Sequence, residues 1–307
     1  VSTLRIPVAG RGDGRTAATG VSAAFATFGE LLQGVLADAD LADPDFLVTL
    51  PIARWAVARF VLTPGSGELL VSPPHKTKAR RLAEMITADA GRPGGGRLSI
   101  ESTLPEGKGL ASSSADLVAT ARAVANALGI VMPPQRIESY LARIEPTDGV
   151  LYPGIVAYHH RSVRLRAVLG TLPSMAVVSV DEGGEVDTVA FNHLPKPFTS
   201  ADQREYARLL ERVSGAIAQR DLAEVGRVAT ASARMNQALR HKWSLDAMVG
   251  ICESVGGLGV VVGHSGTTVG VLLDTGGPEF AHQLASAARA CQQLAGNVTV
   301  YRTLSFD

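Results

Sequence analysis

Pro105-Glu-Gly-Lys-Gly-Leu-Ala-Ser-Ser-Ser-Ala115 is the stretch on which the reading of this chain turns. Gly107 and Gly109 carry no Cβ, so the backbone can turn sharply there and approach an anion closely. Three hydroxyls follow at Ser112, Ser113 and Ser114, and the alanine-rich run Ala115–Leu128, apolar at helical spacing, predicts a helix. The preceding Arg97-Leu-Ser-Ile-Glu-Ser-Thr-Leu104 reads as a strand. Strand, glycine turn and helix N-terminus together offer free N–H groups and the positive end of a helix dipole to one point, which suits a phosphate.

Two common nucleotide loops do not fit. A Walker-type loop needs glycine five residues before its Gly-Lys pair and Ser or Thr directly after it; Ser102 and Gly109 stand at those places. The dinucleotide fingerprint G-x-G-x-x-G fails as well, because Gly107 and Gly109 are followed by Ser112. What remains, Pro-x-Gly-x-Gly-Leu-x-Ser-Ser, resembles the phosphate loop of the GHMP kinases (galactokinase, homoserine kinase, mevalonate kinase and relatives). The resemblance assigns Pro105, Gly107, Lys108, Gly109, Leu110, Ala111, Ser112, Ser113 and Ser114 to ATP; Lys108, which not every family member has, is a candidate to neutralise β- or γ-phosphate charge as a point cation.

The rest of the composition agrees with a small-molecule enzyme. The chain has 307 residues, of which 46% are hydrophobic, enough for two domains or one large one. The formal charge is zero, so neither nucleic acid nor an anionic membrane is called for. Cys252 and Cys291 lack metal-ligand spacing and form no disulfide framework, and no apolar run reaches the length of a membrane span. A cytoplasmic setting is expected. Residues 1–17 read as a frayed extension without a signal-peptide core.

Along the chain, residues 18–165 read as a strand-rich α+β domain. Gly20–Phe28 is expected as a strand entering a turn at Gly29–Gly34, Phe46–Ile52 and Ala56–Leu62 as two strands, and Gly65-Ser-Gly67 as a hairpin turn into Glu68–Ser72. Residues 76–90 and 134–143 read as helices. Residues 166–307 read as a second α+β domain: strands 174–180 and 185–191, helices 200–219, 221–239 and 244–254, strands 258–263 and 267–273, a helix at 278–294 and a strand at 297–302. GHMP kinases are similar in scheme, joining an N-terminal domain like that of a ribosomal protein to a ferredoxin-like C-terminal domain, and the likeness runs from about residue 20 onward.

Phosphoryl transfer needs a phosphate cradle, a divalent metal and a group that positions the attacking hydroxyl. In Ile144-Glu-Pro-Thr-Asp-Gly-Val150, Pro146 and Gly149 hold the backbone out of helix, so Glu145 and Asp148 can converge from a loop. The resemblance makes Asp148 the catalytic base. It assigns Mg2+ to Ser113 and Glu145, although the short spacing of Glu145 from Asp148 leaves Glu145 open to substrate contact instead. His159 and His160 read as strand-end histidines.

Gly29-Glu-Leu-Leu-Gln-Gly34, Gly-Lys-Gly-Leu-Ala-Ser-Ser-Ser-Ala-Asp116, Glu-Pro-Thr-Asp148 and Gly263-His-Ser-Gly-Thr-Thr-Val-Gly-Val-Leu272 together resemble the L-threonine kinase subgroup, linked to cobalamin assembly and propanediol utilisation. This implies transfer from ATP to the hydroxyl of an amino acid. Glu30 is then the partner of an ammonium, while Gln33, Thr147 and the Ser265-Gly266-Thr267 turn serve a carboxylate or phosphates. Thr27 shapes the pocket just before Gly-Glu, and Asp187 with Thr188 lines it from the second half; Asn236 and Gln237 are weaker candidates. Homoserine, serine and a threonine analogue stay open as acceptors, as does a non-catalytic binding module of the same fold, and the chain leaves room for a homodimer.

Overall fold

The computed structural model describes residues 17–36, 44–63, 67–92, 94–184 and 196–306. Ten strands and seven helices occur among them. In chain order they are β1 (Ala18–Val35), β2 (Asp45–Thr63), β3 (Leu69–Ser72), α1 (Thr77–Asp89), β4 (Gly95–Ser102), α2 (Ser112–Leu128), α3 (Pro134–Leu141), β5 (Ile155–His159), β6 (Arg164–Gly170) and β7 (Met175–Asp181). There follow α4 (Ser200–Gln219), α5 (Leu222–Asn236), α6 (Leu245–Ser254), β8 (Gly259–Val262), β9 (Thr268–Asp274), α7 (Phe280–Ala295) and β10 (Thr299–Arg302).

The strands form one sheet in the order β10-β7-β9-β8-β1-β2-β4-β3, with the β5–β6 hairpin attached to the start of β2. The halves meet where β1 pairs with β8, at Glu30 opposite Val262. Two apolar cores result. The larger joins β1, β2 and α1–α3 to Leu209 and Val213 of α4 and Val225 of α5; the smaller lies among β7–β9, α6 and α7, around Val178, Val260, Val271, Ala287 and Cys291. Strands and helices mix in both halves, as the sequence led one to expect.

Three local expectations are corrected. Residues 29–34 are not a turn: β1 continues through them with register shifts at Phe25/Ala26, Thr27/Glu30 and Glu30/Leu32. Gly29, at φ +50°, absorbs the irregularity, and a Cβ there would fall 2.2 Å from the Val262 carbonyl oxygen. The glycine therefore serves a close approach of β8, not a chain reversal. The two strands expected at 46–62 are one, β2, which runs through the exposed Ala53-Arg54-Trp55. Finally, β3 does not return as a hairpin on β2. The long edges of β2 are held by β1 and β4, and β3 pairs in parallel with β4 on its far side. The β6 strand was not foreseen. The strand expected at 185–191 lies outside the described residues.

Candidate active site

The 105–111 segment, expected as the phosphate loop, is built from backbone. Gly107 and Gly109 adopt φ of +70° and +80°, and Ala111 enters α2 in the left-handed region with no side-chain cap on the helix. The N–H groups of the first turn of α2 are thereby left facing a cleft of about 370 Å³. The loop is backed by the second half of the chain. A Cβ on Gly266 would lie 2.0 Å from the Lys108 carbonyl carbon, and Thr268 Oγ1 donates to the Lys108 carbonyl at 2.8 Å. From the other side the Gly29 N–H donates to the Gly109 carbonyl at 3.0 Å.

Glu30, Gly107, Gly109–Ser114, Glu145, Thr147, Asp148 and Ser265 share the cleft wall. The Asp148 N–H donates to Ser114 Oγ at 3.1 Å, and that hydroxyl stands 3.5 Å from Asp148 Oδ2. Burial, then the negative charge of Glu145, raises the Asp148 carboxyl to about 6 against the pull of Ser114. Glu145 accepts from Ser113 Oγ on one oxygen and from Lys78 Nζ on the other. Thr147 is fixed by its N–H to the His160 carbonyl at 2.9 Å and by Oγ1 to the Glu145 carbonyl at 3.0 Å.

Glu30 is buried, and its Oε2 has no hydrogen-bond partner. Burial, then the charge of Asp148, lifts its carboxyl well above the usual range; the His264 backbone and Lys242 act in the opposite sense. Gln33 lies buried behind the cleft wall with Oε1 2.7 Å from His264 Nδ1, while its Nε2 is unpartnered. His264 lines the cleft and packs edge-on to His160 at 4.7 Å between ring centroids. Burial, with His160, Lys196 and Lys242 adding to it, holds its ring well below the ordinary histidine value.

Other expected residues sit elsewhere. Lys108 does not line the cleft: its ammonium is 2.8 Å from Asp181 and donates to the Gly184 carbonyl at 2.7 Å. Thr267 donates to Asp181 Oδ1 at 2.5 Å, and Gly266 faces the back of the phosphate loop. Pro105 and Thr27 lie off the cleft wall, Thr27 being buried on β1. Asn236 is buried with Nδ2 unpartnered, and Gln237 is spent on the Lys242 backbone. Asp187 and Thr188 lie outside the described residues.

The sequence reading missed the opposite wall. The start of α1 brings His75, Lys76 and Lys78 to the cleft. Lys76 bridges Glu106 of the phosphate loop and Asp116 of α2, each at 2.5 Å. Burial raises the Asp116 carboxyl despite Lys76, and its Oδ1 is unpartnered. Only the pair of lysines around Thr77 could have signalled this wall. His264 was in plain view inside the Gly263-His-Ser-Gly266 segment.

A magnesium ion fits the donors present. Ser113 Oγ and a Glu145 oxygen already converge beside the free N–H groups of α2. No three His, Cys, Asp or Glu side chains gather as a metal cluster among the described residues. The ion would therefore rely on nucleotide phosphates and water for its other ligands, as this hard cation commonly does.

The family described as the GHMP kinases N terminal domain matches residues 77–152, and the GHMP kinases C terminal family matches residues 213–291. An L-threonine kinase of Citrobacter freundii is 27% identical over 250 residues, covering 81% of this chain and 84% of that protein. An L-threonine kinase of Salmonella typhimurium is 26% identical, covering 81% of each. In fold, homoserine kinase from Cytophaga hutchinsonii superposes with a TM-score of 0.67 at 16% identity, over 93% of this chain and 95% of that one. Mevalonate diphosphate decarboxylase from Staphylococcus aureus superposes at 0.70 and 13% identity, over 94% and 97%. Fold likeness at such identities does not separate one chemistry from another, whereas the two family matches fall on the cleft-forming segments and on the helices behind them. The chain belongs to the GHMP kinase family and is a phosphotransferase with an alcohol as acceptor.

Proposed function

We propose that this enzyme transfers the terminal phosphoryl group of ATP, with Mg2+, to the hydroxyl of L-threonine, giving O-phospho-L-threonine. The observation that carries the proposal is the pairing, in one cleft beside the phosphate loop, of two carboxyl groups with separate tasks. Asp148 stands at the N-terminus of α2 with its carboxyl near 6, so that it is ionised at neutral pH yet basic enough to take a hydroxyl proton. Glu30 presents a buried oxygen without a partner, and the ammonium of an amino acid would satisfy that oxygen and offset the burial and the Asp148 charge that raise its carboxyl. The two L-threonine kinases support threonine as that amino acid.

The N–H groups from Gly109 to Ser113 hold the phosphates, and the start of α2 adds its dipole. Ser113 and Glu145 would hold magnesium, which when bound neutralises charge on the transferring group. Asp148 orients the acceptor hydroxyl and accepts its proton as the new O–P bond forms in line with the departing ADP, without a phosphoenzyme. Free, buried Cys252 and Cys291 support a cytoplasmic setting.

The test is ADP release from ATP and magnesium in the presence of L-threonine, L-serine, L-homoserine or mevalonate. Turnover specific to threonine is expected. Turnover on another alcohol, with threonine inert, would overturn the acceptor assignment.

A further inference from the structure

Lys242 lies in the connection between α5 and α6, and its side chain is only 1% exposed. Its ammonium donates to the Gly266 carbonyl, which Arg240 Nε also approaches at 3.4 Å. The connection is itself fixed. Gln237 accepts the Lys242 N–H at 2.6 Å and returns its Nε2 to the Lys242 carbonyl at 3.1 Å. Ser244 N–H and Oγ both donate to Glu182 Oε1 at 2.8 Å. Burying an ammonium carries a desolvation cost that an apolar side chain of that length would avoid. Packing alone does not account for a lysine here.

Gly266 links this cation to the phosphate loop. Its Cα lies against Lys108 and Gly109 so closely that a Cβ would stand 2.0 Å from one and 2.1 Å from the other. The line of contact therefore runs from the Lys242 ammonium through the Gly266 carbonyl to the backbone that precedes α2. We propose that Lys242 is a positioning residue for phosphoryl transfer: its buried ammonium fixes the 263–267 turn against the phosphate loop and keeps that loop in the form that binds nucleotide phosphates. The inference rests on the kinase reading above.

The charge is poised to matter. Burial, then Arg240, depresses the Lys242 ammonium to about 8, against the pull of Glu182, Glu30 and Asp181; its charge also bears on His264. The neutral amine fills the same space but holds a carbonyl less strongly than the ammonium does. Nucleotide affinity should then fall as the pH rises through 8.

The test compares the full chain with its Lys242→Met and Lys242→Arg forms. ATP binding is measured by calorimetry without acceptor, near neutrality and near pH 9.5, alongside melting temperature and ADP release with L-threonine. The unaltered protein should bind ATP about tenfold more weakly at the alkaline pH. Lys242→Arg, which keeps its charge, should bind equally at both, and Lys242→Met should bind weakly at both while remaining folded. Equal alkaline loss in the arginine form, or undiminished binding by a folded methionine form, would overturn the proposal. If neither variant folds, the unaltered protein still decides, since the absence of alkaline loss overturns it. ATP binding without threonine turnover would sink the acceptor assignment alone; no ATP binding at all would sink the kinase reading and this inference with it.

Discussion

As the proposed base, Asp148 has to be buried enough to be useful and still lose its proton at working pH. Desolvation supplies the first condition and the Ser114 hydroxyl moderates it. Since only the ionised form accepts a proton, kcat/KM for the acceptor should rise with pH along a limb whose midpoint lies near 6, and Asp148→Asn should abolish the limb. The same substitution should lower turnover by about a hundredfold to ten-thousandfold with ATP binding intact. Stability moves in the opposite sense. The group's value is raised from 3.8 to about 6 on folding, so ionising it opposes the fold, with no penalty below about 4 and the full penalty above 6. Asp148→Asn should therefore melt higher than the unaltered protein at pH 8 and equally at pH 4. Glu30→Gln should raise KM for the amino acid by about ten- to a hundredfold, the loss expected for a hydrogen bond to a charged group, and leave KM for ATP alone. A rise confined to ATP would show that Glu30 serves the nucleotide.

The elements that shape the cleft were legible to different degrees. The strand–glycine loop–helix unit of β4, the 105–111 loop and α2 could be read outright, because glycines before an alanine-rich helix leave few alternatives. The Gly29–Gly34 segment misled, because a glycine demanded by a neighbour 2.2 Å away looks the same in sequence as one demanded by a turn. The wall made by the start of α1 was invisible for a related reason: Lys76 and Lys78 gain meaning only when Asp116 and Glu145, 40 and 67 residues further on, are brought to them. Lys108 illustrates the reverse, a loop lysine that reads as a phosphate ligand while its ammonium rests on Asp181. Gly266→Ala tests the backing of the loop. The added methyl would force Lys108 and Gly109 aside, which should raise KM for ATP and cost about 1–3 kcal/mol of stability. Unchanged ATP kinetics would show that the turn does not hold the loop.

Across the whole molecule, one sheet carries both halves of the site. β1 supplies Glu30 and Gln33, and its pairing with β8 at Glu30–Val262 places the Gly263–Thr267 turn directly over the phosphate loop. The halves could be told apart in the sequence from the order of strands and helices, but the junction could not. It is a long-range pairing between residues more than 200 apart, and no local pattern encodes it. The central claim is that this cleft phosphorylates the hydroxyl of L-threonine with Asp148 as base. Phosphorus NMR of a reaction containing ATP, magnesium and L-threonine tests it most directly, run in parallel with Asp148→Asn. The account predicts an O-phospho-L-threonine resonance growing in step with ADP in the unaltered protein and nearly absent from the folded, ATP-binding variant. Phosphothreonine formed equally by the variant, or ADP formed without phosphothreonine, would contradict it.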